Sequence, residues 1–336
     1  MINNKTDWFG YVDNFKKIEH IDTLCIFENR IKDALVTIGI PTFKRSKTII
    51  DTIESAIKQE CHFPYEIIIL DNNPERNDET ENVVSQYINT HNISYYKNEE
   101  NVGMAGNWNR LFTLSQAKWV TLLHDDDMIS PSFLEDMVSV ANDFNADVVN
   151  SGFLFWNEKK ECKPEFKHYK NDKIFKSTLS LNFYGHQAGM PTGIIYKREM
   201  FIAEGGFNQD FFPSLDYVCH AKLSYKHNFF LYSKKLTLYR FSQNESSKIT
   251  TKEKYIALNY AFQSFIGKML NYPKWYVNLY IRLVAGYGIK KIDKDFLYID
   301  NKKISKVNYI GKLLRFLIPK LALLYIYRKN LVTRYK

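Results

Sequence analysis

Strand and helix signals alternate regularly between Ala34 and Asp127, and no other feature narrows the fold as far. Leu35–Ile40 is a β-branched apolar run closed by Pro41, and Ile49, Ile50, Ile53, Ala56 and Ile57 then recur at helical spacing. Glu66–Leu70 reads as a second strand, with a helical pattern at Val83, Val84, Tyr87 and Ile88 behind it. Ile93–Tyr96 is a third strand, and a helix over 105–115 leads to a fourth, Trp119–Leu123. Ser130 and Pro131 read as N-cap and first turn of a further helix. This order predicts an α/β fold with a Rossmann-like, doubly wound, mostly parallel sheet. Such sheets bind ligands beyond the carboxyl ends of their strands. Polar residues stand at three of those ends: Thr42, Asp71-Asn72-Asn73 and Asp125-Asp126-Asp127.

The remaining chain reads differently. From 147 to 247 the pattern mixes strand-like runs with Gly-rich turns, and beyond Thr250 it becomes helical and aromatic. Residues 1–33 read as an N-terminal helical extension, 34–250 as the main domain, and 251–336 as a basic helical region. Hydrophobic residues make up 45% and charged residues 25%, which fits a packed globular core and excludes disordered or collagen-like chains. Cys25, Cys61, Cys162 and Cys219 are widely spaced and form no CxxC pair, so reduced thiols are expected and a zinc site is not. No apolar h-region opens the sequence, and no apolar run reaches the roughly 18 residues of a spanning helix. A cytoplasmic location is therefore expected.

The net charge is +9, yet the window from Lys302 to Lys336 holds ten Lys and Arg and no Asp or Glu. The charge lies in the tail, and an anionic partner is expected for it. Leu313, Leu314, Phe316, Leu317, Ile318, Leu321, Leu324 and Tyr325 form a broad apolar surface among those cations. A basic amphipathic helix of this kind can lie on an anionic membrane surface.

Three adjacent carboxylates after an apolar strand repel one another, and burial makes them costly. A divalent cation resolves both problems, and hard oxygen ligands suit Mg²⁺ or Mn²⁺ shared with substrate phosphates. The plainer alternative is an acidic turn capping the helix at Ser130.

Five ordered motifs carry a resemblance: Val36–Phe43, Ile69–Asn73, Asn101–Asn109, His124–Asp127, and Gly205-Gly206-Phe207 followed by Leu215-Asp216. Over 34–247 the chain resembles a family 2, GT-A fold, nucleotide-sugar-dependent inverting glycosyltransferase. The resemblance implies a nucleotide-binding half over 34–127 and an acceptor half over 128–250, with the helical extension after them. It implies that Pro41, Thr42 and Phe43 line the base pocket and that Asp71 accepts a hydrogen bond from the base, as uracil offers. Asn101, Gly103 and Asn107 would approach the ribose and diphosphate, with Asp125 beside them. Asp126 ranks first and Asp127 second as metal ligand, although strand alternation groups Asp125 with Asp127. His124 stands where many members have their first Asp, as ligand or as packing group. Asp216 would be the general base, in a pair that reads Leu-Asp rather than Glu-Asp. Arg240 and the segment Gln243–Ser247 resemble a later loop that closes on the diphosphate.

The implied function is transfer of a hexose or N-acetylhexosamine, from a UDP-sugar, to an acceptor hydroxyl on a glycan or lipid-linked glycan. Bacterial polysaccharide, capsule or lipopolysaccharide synthesis is the implied setting, with the enzyme peripheral on the inner face of the cell membrane. A metal-dependent nucleotidyltransferase is the main alternative, but Pro41-Thr-Phe-Lys-Arg-Ser46 lacks the Gly-rich loop it needs. A nucleic-acid binder is the non-enzymatic alternative; no nucleic-acid motif accompanies the basic tail, and no nucleic-acid partner is expected.

Overall fold

The computed structural model describes residues 6–89, 91–159, 162–167, 172–241, 248–299 and 302–335. The first strand, β1 (Thr23–Phe27), precedes the alternating region. There the order is β2 (Val36–Thr42), α1 (Ile49–Ile57), β3 (Tyr65–Asp71), α2 (Glu79–Ile88), β4 (Ile93–Asn98), α3 (Gly103–Leu114) and β5 (Trp119–Leu122). A short β6 (Met128–Ile129) leads into α4 (Phe133–Asp143), β7 (Val148–Trp156), β8 (Asp172–Lys176), α5 (Leu179–Phe183) and β9 (Ile194–Lys197). Then come α6 (Arg198–Ala203), α7 (Leu215–Lys226) and β10 (Phe229–Arg240). The last part comprises α8 (Ile249–Met269), α9 (Lys274–Lys291), the hairpin β11 (Phe296–Ile299) and β12 (Lys302–Ser305), α10 (Tyr309–Asn330) and β13 (Leu331–Tyr335). The Ser46 and Ser130 caps each fall two residues early, because α1 is entered from Thr48 and α4 from Ser132.

The large sheet runs β1-β4-β3-β2-β5-β9-β7-β10-β8-β13, with β6 on β10. Strands β4, β3, β2 and β5 are parallel throughout, as the βα order implies. The antiparallel pairs lie at the β1 edge and in the second half. The chain steps outward from β2 to β3 and β4, then returns to the other side of β2 as β5. That reversal between β2 and β5 leaves a crevice at their carboxyl ends. Register sets Thr42 opposite Asp71, so two polar strand ends lie side by side.

Alternation along the buried strands feeds two cores. Ile67 and Ile69 face a cluster with Ile49, Ile53, Val84 and Phe133 from α1, α2 and α4. Ile68 and Leu70 face the opposite cluster, with Leu111, Phe112, Phe201 and Leu223 from α3, α6 and α7. A third cluster joins α8 and α9 to Trp8, whose ring stacks on Phe211 at 5.2 Å.

Both terminal regions depart from expectation. The described part of the expected 1–33 extension, residues 6–33, is not helical: beyond a short 3-10 turn at Lys16–Ile18 it supplies strand β1, antiparallel to β4. Arg30 reaches into the sheet and pairs with buried Glu66 at 2.8 Å, where Thr37 also donates. The tail is helical in α10, but β13 returns to the large sheet beside β8. Residues 251–336 are therefore tied to the main domain by strand pairing as well as by helix packing.

Beneath the ends of β3 and β4 lies a buried charge cluster. Lys97, 1% exposed, stands 3.0 Å from Asp71, 3.4 Å from Asp78 and 3.5 Å from Glu81. Tyr95 donates to the same Asp71 oxygen, Asn73 N–H binds the other, and Arg76 pairs with Glu81. Removing one partner of such a buried set strands the others, so Lys97→Met is expected to cost about 3 kcal/mol. The midpoint of urea unfolding measures it.

Candidate active site

The crevice between β2 and β5 opens into a cleft of about 940 Å³. Pro41, Thr42, Phe43, Asn101, Asn107, Asp125, Asp126 and Asp216 all line it, so four separate segments of the sequence meet there. The cleft also holds Arg45, Asn72, Trp108, His124, Met190, Tyr239 and Lys248. Arg45 and Lys248 went unassigned in the sequence; Arg45 stands three residues beyond Thr42, and that spacing was the available signal.

The loop entering α3 is fixed by amide side chains. Asn72 donates to Asn101 at 2.8 Å and accepts from Val102 N–H and from Asn98. Asn98 also donates to Asn107, which reaches back to the Leu70 carbonyl. Gly103 adopts φ 75°, a left-handed conformation that disfavours side chains. Asn109 brackets Phe207, accepting from its N–H and donating to its carbonyl, both at 2.8 Å. That bracket needs a glycine at 206: φ is 73°, and a Cβ there would meet Asn109 Oδ1 at 2.6 Å. Two distant motifs of the sequence thus share one joint.

The acidic turn is held from both sides. Thr52 of α1 donates to the Asp127 carbonyl at 2.8 Å, and the Arg240 N–H donates to Asp127 Oδ1 at 3.1 Å. His124 stacks on Trp108 with ring centres 5.1 Å apart, and burial pushes its pKa down to about 4. The imidazole is therefore neutral, with Nδ1 3.7 Å from Asp127 and Nε2 without a hydrogen-bond partner among the described residues. Burial, then the charge of Asp126, pushes Asp125 up to about 7. Burial raises Asp126 as well, while Arg45 and Arg240 partly offset it. Asp127 is pushed up by burial and then by Asp126, and its Oδ2 makes no hydrogen bond among the described residues.

Asp216 stands in the first turn of α7 with its carboxyl 22% exposed; burial pushes it up to about 7, and the Tyr217 N–H on Oδ1 pulls the other way.

Four expected residues stand elsewhere. Asp71 is fully buried, and both oxygens are already engaged by Lys97, Tyr95 and Asn73, so Asn72 rather than Asp71 reaches the cleft wall. Gly103 does not line the cleft whereas its neighbour Met104 does, and Asp127 is fully buried while Asp126 lines the wall. Arg240 is buried against Trp156 at 4.7 Å and paired with Asp51, so its charge reaches the cleft only at a distance. The segment Gln243–Ser247 lies outside the described residues.

The residues present fit a divalent cation of the kind that completes its sphere with phosphate. Among the described residues no three His, Cys, Asp or Glu side chains form a protein cage. Asp126 lines the cleft, and Asp127, next in the chain, keeps a buried Oδ2 without a hydrogen-bond partner among the described residues.

Sequence comparison agrees with this architecture. The profile of glycosyl transferase family 2 matches residues 37–204, half of the chain. The fold and the match define a glycosyltransferase. The chain belongs to glycosyl transferase family 2.

An uncharacterized glycosyltransferase of Haemophilus influenzae is 25% identical over 298 residues, covering 86% of this chain and 98% of that one. The uncharacterized glycosyltransferase MJ1057 of Methanocaldococcus jannaschii is 29% identical over 157 residues, 44% of this chain and 53% of the relative, so the match spans about half of that protein. A third relative is the poly(ribitol-phosphate) beta-N-acetylglucosaminyltransferase TarP of Staphylococcus aureus, 29% identical over 116 residues, 34% of this chain and 35% of TarP. Among solved structures, S. aureus TarS 1-349 in complex with UDP superposes at TM-score 0.53 with 18% identity, covering 76% of this chain and 72% of that one. The mannosyltransferase PcManGT of Pyrobaculum calidifontis, in complex with GDP-Man and Mn²⁺, gives 0.53 at 12% identity, covering 94% and 87%. At these identities the likeness is one of fold, and the fold is GT-A.

A carboxyl raised from 3.8 to about 7 binds a proton in the folded state that the unfolded chain has lost. Asp125 therefore makes stability fall as pH rises from about 4 to 7. Asp125→Asn is expected to flatten that fall and to raise the thermal midpoint of the unliganded protein at pH 8. Thermal melts at pH 5 and pH 8 check it.

Proposed function

We propose that this protein transfers a hexose or N-acetylhexosamine, with inversion, from a UDP-sugar to an acceptor hydroxyl. The observation that carries the reading is the joint presence of Asp125, Asp126 and Asp216 in one cleft at the β2/β5 switch point, beside Pro41–Phe43. The base lies over Pro41, Thr42 and Phe43, with Asp71 holding the Asn72-Asn73 turn from below rather than touching the base. Asn101 and Asn107 lie along the ribose, and Arg45 and Lys248 face the diphosphate. Asp126, with Asp127 second, would hold Mn²⁺ or Mg²⁺, which neutralises the diphosphate as it departs.

Asp216 acts as general base. The acceptor oxygen attacks the anomeric carbon from the face opposite the diphosphate and loses its proton to the Asp216 carboxylate. The bond from that carbon to the phosphate oxygen breaks, and its electron pair leaves on the diphosphate. A pKa of about 7 suits the task, because a base works best when its pKa is near the working pH. The alternative of a nucleotidyltransferase draws no support from the cleft, since Pro41–Ser46 supplies no glycine cradle for a triphosphate.

TarP and TarS bear on the setting: a relative named for a poly(ribitol-phosphate) acceptor and a UDP-bound fold neighbour favour a UDP-sugar and a glycan or lipid-linked glycan acceptor in cell-surface polysaccharide synthesis. No described helix is long and apolar enough to cross a membrane. The exposed stripe Ile310, Leu314, Leu317, Leu321 and Leu324 on α10, flanked by Lys312, Arg315 and Lys320, supports peripheral contact with an anionic membrane face.

Calorimetry with UDP-GlcNAc, UDP-glucose, UDP-galactose and GDP-mannose, with and without Mn²⁺, tests the donor site. Asp126→Ala is expected to lose metal-dependent nucleotide binding, and Asp216→Asn to keep it while transfer falls roughly 10³-fold. No nucleotide bound by wild type, with or without metal, would sink the reading.

The membrane contact has its own test. Flotation on vesicles containing phosphatidylglycerol is expected to carry wild type upward and to leave Leu317→Asp/Leu321→Asp behind. Equal recovery of both in the unbound fraction removes membrane contact from the proposal.

A further inference from the structure

Three buried side chains stand in line behind Asp216, and transfer as described above gives them no task. His186 Nδ1 lies 3.9 Å from Asp216 Oδ2. His186 Nε2 is 2.8 Å from His220 Nδ1, and His220 Nε2 is 2.7 Å from the Tyr196 hydroxyl. The groups come from three places: the loop after α5, helix α7 and strand β9. His220 and Tyr196 are fully buried, and the His186 side chain is 11% exposed. His186 stacks on Tyr217 at 5.1 Å, and Phe207 and Phe229 stand edge-on to His220, so neither ring is free to turn.

Proton bookkeeping along this line has one full solution. Burial keeps both imidazoles neutral, so each ring carries one N–H and one lone pair. A buried phenol must donate or leave its proton unpaired, and the acceptor within reach of Tyr196 is His220 Nε2. His220 then carries its proton on Nδ1 and donates to His186 Nε2. His186 in turn carries its proton on Nδ1, the nitrogen that faces Asp216. The opposite polarity strands the Tyr196 proton and turns a lone pair of His186 toward the carboxylate.

We propose that His186, locked in this tautomer by His220 and Tyr196, is a positioning residue for the general base, presenting its Nδ1–H to Asp216 Oδ2. The inference rests on Asp216 being that base. The Tyr217 N–H binds Oδ1, and the His186 N–H faces Oδ2 across 3.9 Å, so a small approach of the imidazole brings a second donor to the carboxylate while each oxygen keeps a lone pair for the acceptor proton. A donor on that side favours the ionised carboxylate and so opposes the upward push of burial. The other groups whose charge or potential charge bears on Asp216 are Tyr255 from α8, Tyr196 from β9 and Cys219 on its own helix, with Lys248 on the wall of the same cleft. Burial raises Tyr255, Tyr196 and Cys219, which leaves them neutral at working pH, so none of them sets a negative charge against Asp216.

The test titrates the carboxyl itself. Infrared difference spectra across pH follow the protonated carboxyl band of Asp216, assigned by its absence in Asp216→Asn. His186→Phe is expected to move the midpoint up by about one pH unit, a tenfold shift in ionisation, because a donor to the charged form is lost. Tyr196→Phe, which keeps the ring and removes the lock, is expected to move it in the same direction by less. His186→Asn, whose amide nitrogen takes the place of Nδ1, is expected to restore the wild-type midpoint. A midpoint in folded His186→Phe within about 0.3 unit of wild type overturns the proposal, as does an unmoved midpoint in Tyr196→Phe should His186→Phe fail to fold. Failure of the base assignment looks different: Asp216→Asn would then turn over UDP-sugar at the wild-type rate, whatever the infrared midpoints show.

Discussion

A lysine with almost no access to water underlies the donor side of this protein. Lys97 sits at the end of β4 beneath Asp71, Asp78 and Glu81, and without its charge those carboxylates could not share one buried site. Asp71 in turn holds the Asn73 N–H, so the turn after β3 takes its shape from the pair. Asn72, projected by that turn, ties down the Asn101 loop and the entry to α3. One buried ion cluster therefore governs the wall on which a nucleotide would rest, and it does so from behind the cleft.

The acidic turn after β5 obeys the opposite logic. There the carboxyls are pushed up by burial and by each other, and their cations stand at a distance. Such an arrangement opposes stability and is tolerable because Thr52, the Arg240 N–H and the Trp108–His124 stack hold the turn in place. A charge-balanced floor and a charge-strained rim divide the labour: the floor gives rigidity, and the rim is where the proposed cation and diphosphate would bind. Asp216 completes the rim from the far half of the chain.

Much of the parallel half was legible in the sequence, because β-branched runs at strand spacing and apolar residues at helical spacing leave little choice when they alternate. The polar strand ends were legible for the same reason: strands that run parallel deliver their carboxyl ends to one edge. The termini were not. Residues 1–33 carry no period strong enough to announce β1, whose five residues are held by pairing with β4 and by the Arg30–Glu66 contact. In the tail, the cations around Leu313–Tyr325 announced a helix but gave no sign that β13 would rejoin the sheet beside β8.

What the sequence determined by itself was the set of chemical groups and the edge at which they would gather, since both follow from local period and strand order. Which of those groups would face the cleft was a matter of packing. Asp71 and Arg240, acid and base of the expected site, were drawn inward by Lys97 and by Asp51 and Trp156, because partners distant in the chain lay close enough to bond them. Arg45 and Lys248 came to the wall instead. The line from Asp216 through His186 and His220 to Tyr196 exists only in three dimensions: its members come from a loop, a helix and a strand, and no spacing in the sequence records that their nitrogens and oxygens meet.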